Sequence, residues 1–228
     1  MLYQYFTTAK GSLVGVWKIE ELPQDLLQLV PQYEKEFTLH IAQTVQKRQK
    51  EWLAVRCLLQ AMLGNSTAPI VYENRQPFLA DGSYHLSISH TTNYAALIIH
   101  VTCKVGIDIE TILPRARRIK QKFLSDKELL AIENTPVNKP EKEAIIGSNF
   151  IFSLCWSAKE AVYKWYSKGD LQFNRDMIIE SHSLTTALKQ QKQGQLLMSF
   201  YKYKKAPLLS IHYQTIANSV LCYVEKDV

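Results

Sequence analysis

YHLSISHTTNYAALIIHVTCKVGIDIE, residues 84–110, carries the clearest structural signal in this 228-residue chain. Residues 84–90 alternate apolar and polar side chains, residues 94–101 form an apolar run, and residues 104–110 alternate again. Alternation is typical of a half-buried strand, and a short apolar run bounded by turn residues is typical of a fully buried strand. The pattern therefore predicts three successive short strands.

Predicted helices lie on both sides of these strands. Residues 42–63 carry apolar side chains at helical spacing and are followed by Gly64, which suits a C-cap. Ser125 and Glu128 match the S-x-x-E capping box that opens a helix. A third helical stretch covers residues 150–168. Groups of strands and helices therefore alternate along the chain.

The order of these elements predicts an α+β fold. A strand within residues 15–22 precedes the first helix, and four more strands follow the last helix within residues 176–225. This order repeats once, as strand, helix and strands followed by strand, helices and strands. We predict two similar halves, residues 1–104 and 105–228, related by a pseudo-twofold axis. Each half would contain a mostly antiparallel sheet and a long packed helix.

Composition narrows the possible classes of protein. The formal net charge of +6 favours an anionic partner, which could be a nucleic acid, a phosphorylated small molecule or an acidic protein. No stretch approaches the ~20 apolar residues that a membrane-spanning helix needs, and the start of the sequence lacks a signal-peptide pattern. We therefore expect a cytoplasmic protein. The four cysteines form no C-x-x-C pair, so the sequence suggests neither a zinc site nor a disulfide framework.

Two acidic residues in the VGIDIE segment are candidates for metal binding. Strand alternation places Asp108 and Glu110 side by side on one face. Neighbouring carboxylates repel each other, and a hard cation such as magnesium relieves that repulsion because it takes oxygen ligands. The same alternation also fits an ordinary half-buried strand whose polar face meets water.

The helical segment CWSAKEAVYKWY, residues 155–166, combines acid, base and aromatic side chains. Helical spacing puts Trp156, Glu160 and Lys164 on one stripe, with Lys159 beside it. Glu160 and Lys164 also match the favoured surface pair of a Glu followed four residues later by a Lys. The surrounding apolar residues favour a helix that is packed on more than one side.

Further polar residues suggest anion binding. Ser89 and His90 end a predicted strand before a run of turn residues, an arrangement that could hold a phosphate or give His90 a structural role. They do not form a hydrolase triad, because adjacent strand residues point apart. Either of two basic clusters could be a solvated surface, and the second, which follows the proposed cation site, could dock an acidic macromolecule. Their members are Lys47, Arg48, Lys50 and Arg56, and Arg115, Arg117, Arg118, Lys120 and Lys122.

The order of the motifs is more specific than any one of them. ENRQPFL (73–79), LSISH (86–90), VGIDIE (105–110) and WSAKEAVYK (156–164) occur in that order. This series resembles that of the 4′-phosphopantetheinyl transferases, in particular the surfactin-synthetase type. The resemblance covers about residues 42–169, while the flanks match only in length and strand content.

This resemblance implies a fold and a magnesium site. The family has two similar α+β halves in one chain, with coenzyme A bound in the cleft between them. Residues 1–104 would grip the nucleotide, and residues 105–228 would carry the metal site and the WSAKE helix. Magnesium would be held, together with the coenzyme A pyrophosphate, by Asp108, Glu110 and Glu160.

The resemblance also implies contacts to the phosphates and the nucleotide. Lys159 and Lys164 would contact the phosphates. The adenosine end with its 3′-phosphate would be bound by Ser89 and His90, and the nucleotide also by Arg48 and Arg56. The family commonly has Gly-Lys-Pro where this chain has Arg75, Gln76 and Pro77. Arg75 or Gln76 would then replace the usual lysine, and a guanidinium need not make the same contact as an ammonium.

The implied activity is the magnesium-dependent transfer of the phosphopantetheine arm from coenzyme A to a serine of an acyl or peptidyl carrier protein. Adenosine 3′,5′-bisphosphate would be released, and the catalytic residues would be Asp108, Glu160 and Lys164. We expect an acidic carrier protein as partner, no nucleic acid, and a monomer, since one chain completes the cleft. Fatty acid, polyketide and nonribosomal peptide synthesis all remain open as pathways.

Two other functions fit parts of the sequence. One is a non-catalytic module that binds coenzyme A, although three converging carboxylates exceed what binding requires. The other is a metal-dependent nuclease, since acidic clusters with a lysine also build such sites. The E-x-K pattern that is common in nucleases is missing, because Ile112 stands two residues after Glu110.

Overall fold

The computed structural model describes residues 1–64, 68–135, 141–190, 192–203 and 206–227, with only the backbone of 141–148. The chain forms two compact units, residues 1–105 with 227, and residues 106–226. Each unit combines helices with an antiparallel sheet, so the predicted α+β class with two halves is confirmed. No helix in the described part of the chain is long and apolar enough to cross a membrane.

The described part of the first unit contains a four-stranded sheet, a small hairpin and three α-helices. Its strands are β1 (Leu2–Thr7), β2 (Leu13–Lys18), β3 (Ile70–Glu73), β4 (Gln76–Leu79), β5 (His85–His90) and β6 (Tyr94–His100). Its helices are α1 (Pro23–Leu29), α2 (Glu34–His40) and α3 (Gln46–Leu63). The main sheet has the antiparallel order β1-β2-β6-β5, and β3 pairs with β4.

The core of the first unit lies between α3 and the main sheet. Buried side chains of α3, such as Leu53 and Leu58, join Leu97 from β6 in one apolar cluster. The helix begins four residues later than predicted, because the side chain of Gln49 donates hydrogen bonds to two backbone carbonyls in the preceding turn. The predicted end at Gly64 is confirmed.

In its described residues, the second unit contains a five-stranded sheet and five α-helices. Its strands are β7 (Lys104–Thr111, which begins in the first unit), β8 (Met177–Ile179), β9 (Gln193–Phe200), β10 (Leu208–Ile216) and β11 (Ser219–Lys226). Its helices are α4 (Pro114–Arg118), α5 (Asp126–Glu133), α6 (Glu141–Tyr166), α7 (Phe173–Asp176) and α8 (Ser181–Lys189). The sheet order is β7-β11-β10-β9-β8.

Helix α6 is the central element of this unit. It packs on β11 and buries Leu154, Ala158 and Val162 in the core. The capping box predicted for α5 is confirmed, with Ser125 Oγ accepting a hydrogen bond from the backbone N–H of Glu128. The three strands predicted in residues 84–110 are also confirmed, as β5, β6 and β7. Helices α1, α2, α4, α7 and α8 were not predicted.

Candidate functional site

A glycine sets the distance between strand β7 and helix α6. A β-carbon at Gly106 would overlap the backbone carbonyl oxygen of Ala161 and crowd the backbone nitrogen of Trp165. Only glycine allows such a close approach of two backbones. Two residues along the strand, the carbonyl oxygen of Asp108 accepts a hydrogen bond of 3.2 Å from Ser157 Oγ. The VGIDIE face that carries Asp108 is therefore directed at the WSAKE helix.

Asp108, Glu110, Glu160 and Lys164 form one electrostatic cluster at this contact. Lys164 Nζ lies 2.8 Å from Asp108 Oδ1, within hydrogen-bonding distance. Asp108 is buried, and the side chain of Lys164 keeps 27% of its exposure. The predicted stripe on the helix therefore faces the predicted acidic face of the strand, which the spacing within each segment could not establish.

Two glutamates of this cluster, Glu160 and Glu110, have raised pKa values. Burial raises the pKa of Glu160 to about 7, with further increases from Asp108 and Glu110 and a decrease from Lys164. Burial also raises the pKa of Glu110, as does Asp108, while Arg115 and Lys164 lower it. Without a further cation, Glu160 is therefore a proton acceptor poised near neutral pH.

The chemistry of these donors fits a hard cation, although a complete metal site is not preassembled. Asp108, Glu110 and Glu160 supply only carboxylate oxygens, and their charges repel each other in a partly buried position, which a divalent cation would relieve. Across the described residues, no three His, Cys, Asp or Glu side chains are grouped so as to hold a metal ion. The magnesium site stays a prediction.

Lys159 has different partners from the phosphates implied for it. Its side chain has no solvent exposure, and Nζ lies 2.7 Å from Glu128 Oε1. Nζ also donates hydrogen bonds to the carbonyl oxygens of Phe123, at 2.7 Å, and Phe173, at 3.1 Å. Burial lowers the pKa of Lys159, while Glu128 opposes that shift. The three donors of the ammonium group therefore all have protein acceptors.

A pocket of about 220 Å³ adjoins the acidic cluster. Polar and aromatic side chains on its wall include Glu110, Arg115, Ser153 and Trp156, and the rest of the wall is mainly apolar. Ser153 Oγ is buried and has no hydrogen-bond partner among the described residues. The pocket thus combines a carboxylate, a guanidinium and a hydroxyl group with an apolar surface.

In the first unit, His90 lies beside a buried acid. Its Nδ1 is 3.4 Å from Glu51 Oε2, and Lys47 Nζ lies 3.7 Å from the other oxygen of Glu51. Ser89 is buried on β5, and Arg48 is exposed on α3. The structure therefore brings His90 into contact with the basic helix through Glu51, and a phosphate contact by these residues stays a prediction.

Arg56 is enclosed within the same unit. The residue is 1% exposed, and its guanidinium lies 3.2 Å from the centre of a Trp52 ring. Nη1 donates to the carbonyl oxygen of Trp52, and Nη2 donates to Glu36 Oε1 at 3.1 Å. The guanidinium is therefore stacked and paired inside the unit. A nucleotide contact stays a prediction and would require Glu36 to move.

Arg75 occupies the tip of the β3–β4 hairpin. Asn74 and Arg75 form the two-residue loop and have φ angles of 49° and 68°. Arg75 is exposed, whereas Gln76 is half-buried on β4. A left-handed conformation suits glycine or asparagine far better than arginine. This chain thus has a long cationic side chain at a position whose backbone favours glycine.

Two family models match this chain. A family model described as the 4′-phosphopantetheinyl transferase superfamily matches residues 104–221, more than half of the chain. The chain belongs to the 4′-phosphopantetheinyl transferase superfamily. A model of the N-terminal domain of 4′-phosphopantetheinyl transferases matches residues 35–100. A search of curated proteins found no match to this transferase.

The superfamily gives this transferase its general reaction. Membership implies the transfer of phosphopantetheine from coenzyme A to a carrier protein. Two acidic residues that contact the predicted site residues were not identified from the sequence as members of the site. Glu128 was recognised only as part of a capping box, and Glu51 gave no signal because its burial depends on packing.

Proposed function

We propose that this transferase is of the surfactin-synthetase type and modifies a serine of an acyl or peptidyl carrier protein in a magnesium-dependent reaction. The serine oxygen would form a bond to the phosphorus that carries the pantetheine. The bond from that phosphorus to the bridging oxygen would break, and adenosine 3′,5′-bisphosphate would leave. The observation that carries this proposal is the convergence of Asp108, Glu110, Glu160 and Lys164.

The acidic residues would have two tasks. Asp108, Glu110 and Glu160 would hold magnesium, which, when bound, neutralises charge on the pyrophosphate during phosphoryl transfer. Glu160 would also accept the proton of the serine hydroxyl, because its carboxylate lies in this cluster beside Asp108 and Lys164. Lys164 would offset the negative charge that develops on the leaving group, since its ammonium already lies in the cluster.

The first unit would supply the contacts to the nucleotide. His90 and Ser89 would bind the adenosine end with its 3′-phosphate, with Arg48 and Arg75 as exposed cations that a phosphate can reach. Arg56 would join them only after leaving Glu36.

The carrier protein would dock by charge. Arg115, Arg117 and Arg118 are exposed on α4, and Lys120 follows them along the chain. An acidic carrier would be attracted to this cluster, which speeds encounter more than it strengthens binding. The cytoplasm and a monomeric state fit this proposal, and the pathway that the carrier serves remains open.

The test is intact-protein mass spectrometry of an apo acyl carrier protein after incubation with coenzyme A, magnesium and this protein. We expect a mass gain of one phosphopantetheine arm that requires both the metal and Glu160. Glu160→Gln is the matched variant, because it keeps the shape of the side chain and removes the carboxylate. A folded protein that binds coenzyme A but modifies none of several acyl and peptidyl carriers would instead indicate a binding module.

A further inference from the structure

Lys159 and Glu128 form an ion pair that is completely buried. Both side chains have 0% exposure, and Lys159 Nζ lies 2.7 Å from Glu128 Oε1. Removing two charges from water is costly unless each has enough partners. Glu128 meets this condition, since it also accepts hydrogen bonds from the backbone N–H and hydroxyl of Ser125 and from the backbone N–H of Ile179. The pair therefore links helices α5 and α6 with strand β8.

The ammonium group also holds two aromatic residues in place. Its remaining hydrogen bonds go to the carbonyl oxygens of Phe123 and Phe173. The Phe123 ring meets Trp156 edge-on, with ring centres 5.2 Å apart, and the centres of the Phe173 and Trp156 rings are 5.8 Å apart. Lys159 thus binds the backbone of both phenylalanines whose rings contact Trp156.

Trp156 connects this arrangement to the candidate active site. It lines the pocket that Glu110 also lines, and it lies one helical turn before Glu160. Lys159 directly precedes Glu160 on α6, and side chains at consecutive helical positions point in different directions. The side chain of Lys159 therefore lies in the protein interior, and the side chain of Glu160 belongs to the acidic cluster.

We propose that Lys159 is a positioning residue of the transferase: together with Glu128 it fixes Phe123 and Phe173 around Trp156, and so sets the geometry beside Glu160. This inference rests on the proposed function, since the surface that it shapes is the one where transfer would occur. The phosphates would then be contacted by Lys164, whose side chain is partly exposed.

The test removes both charges of the buried pair at once. Lys159→Met alone would leave Glu128 buried without its cation, and such a variant is prone to unfold. The double variant Lys159→Met with Glu128→Gln keeps both side-chain volumes similar and leaves no unpaired charge. Lys127→Met is the matched control, because Lys127 is an exposed lysine next to Glu128 on α5.

The Kd for coenzyme A, the number of binding-competent molecules and kcat together distinguish a positioning role of Lys159 from phosphate binding. Calorimetric titration gives the Kd for coenzyme A and the number of binding-competent molecules, and kcat is then expressed per binding-competent molecule. We expect the double variant to keep the Kd within about twofold and to lose at least about tenfold in kcat, because small misplacements of reacting groups are costly. A tenfold weaker Kd with a smaller salt dependence would overturn the inference in favour of a phosphate contact.

Lys159→Arg adds a conservative comparison. A planar guanidinium cannot take the place of a compact ammonium among three acceptors, so we expect no rescue of kcat. Full kcat in Lys159→Arg would show that only the positive charge matters. An unchanged kcat per binding-competent molecule in the double variant would show that the buried pair has a purely structural role. Either result would overturn the inference.

An NMR measurement tests the positioning without any turnover. We expect the indole N–H resonance of Trp156 to move in the double variant and to stay in place in the Lys127→Met control. An unmoved resonance would overturn the inference. If the resonance moves but the unsubstituted protein modifies no carrier, the positioning role of Lys159 stands and only the proposed function is rejected.

Discussion

Lys159 and Lys164 lie on the same helix, yet their surroundings give them opposite tasks. Lys159 is fully buried and bound to Glu128, whereas Lys164 is partly exposed and lies 2.8 Å from Asp108. The residue type was a good guide to the presence of a charged cluster. It did not indicate which lysine faces the acidic side chains, because that depends on how α6 packs.

Arg75 offers a test of backbone strain against function. Arg75→Gly should stabilise the protein by about 1 kcal/mol, because glycine adopts the left-handed conformation of this loop without a steric penalty. If Arg75 binds the nucleotide, the same change should weaken coenzyme A binding about fivefold, as expected for one exposed charge contact of about 1 kcal/mol. Urea unfolding and calorimetric titration measure the two effects.

Asn74→Gly is the control for this experiment. It changes the other left-handed position of the loop without changing charge, and asparagine tolerates this conformation, so a smaller gain in stability and an unchanged Kd are expected. An unchanged Kd for coenzyme A in Arg75→Gly would show that Arg75 does not bind the nucleotide.

Among the elements, the contact between β7 and α6 determines the geometry of the site. Gly106 allows the strand to reach the helix backbone, and Ser157 bonds the carbonyl of Asp108. Alternation along the strand and helical spacing correctly predicted which residues share a face. Neither pattern could show that the two faces meet, because the meeting depends on contacts between segments about 50 residues apart in sequence.

Gly106→Ala should therefore weaken both the fold and the site. The added methyl group would press on the backbone of Ala161, which cannot move aside as a side chain can, and we expect a loss of about 1–3 kcal/mol in the free energy of unfolding. Chemical denaturation measures this loss, and turnover should fall as Asp108 moves away from Lys164.

Gly15→Ala is the matched control, since Gly15 also lies in a strand that packs against a helix. Its new methyl group would meet only the side chains of Met62 and Leu58, which can adjust. A similar or larger loss of stability in this control would argue against a special backbone contact at Gly106.

For the molecule as a whole, the positive net charge supports the proposed acidic partner. The net charge is +6, and the superfamily acts on carrier proteins through coenzyme A. Exposed arginines on α4 lie near the pocket beside the acidic cluster, and Arg115 lines that pocket. The surface around the proposed site therefore suits a negatively charged macromolecule.

Arg117→Glu combined with Arg118→Glu tests this docking surface. We expect the KM for the carrier protein to rise about tenfold at low salt and the KM for coenzyme A to stay within about twofold. The difference should shrink as salt is added, because exposed charges are screened. Steady-state kinetics at two ionic strengths give both values.

Lys189→Glu combined with Lys192→Glu is the control, since both lysines are exposed and the change in net charge is the same. An equal rise of the KM for carrier protein in this control would mean that the overall charge attracts the carrier. Equal effects on the KM for carrier protein and the KM for coenzyme A in the arginine variant would contradict the proposed docking surface.

Local patterns were enough to identify strands β5, β6 and β7, the α5 capping box, the end of α3 and the family itself. These features depend on the side-chain periods of strands and helices and on the short-range chemistry of helix ends. The burial of Lys159 and Arg56, the contact between His90 and Glu51, and the approach of β7 to α6 arise from packing between distant segments. The sequence determines which charged side chains are present, and the three-dimensional fold determines which of them are exposed, which are paired and which are buried in the core.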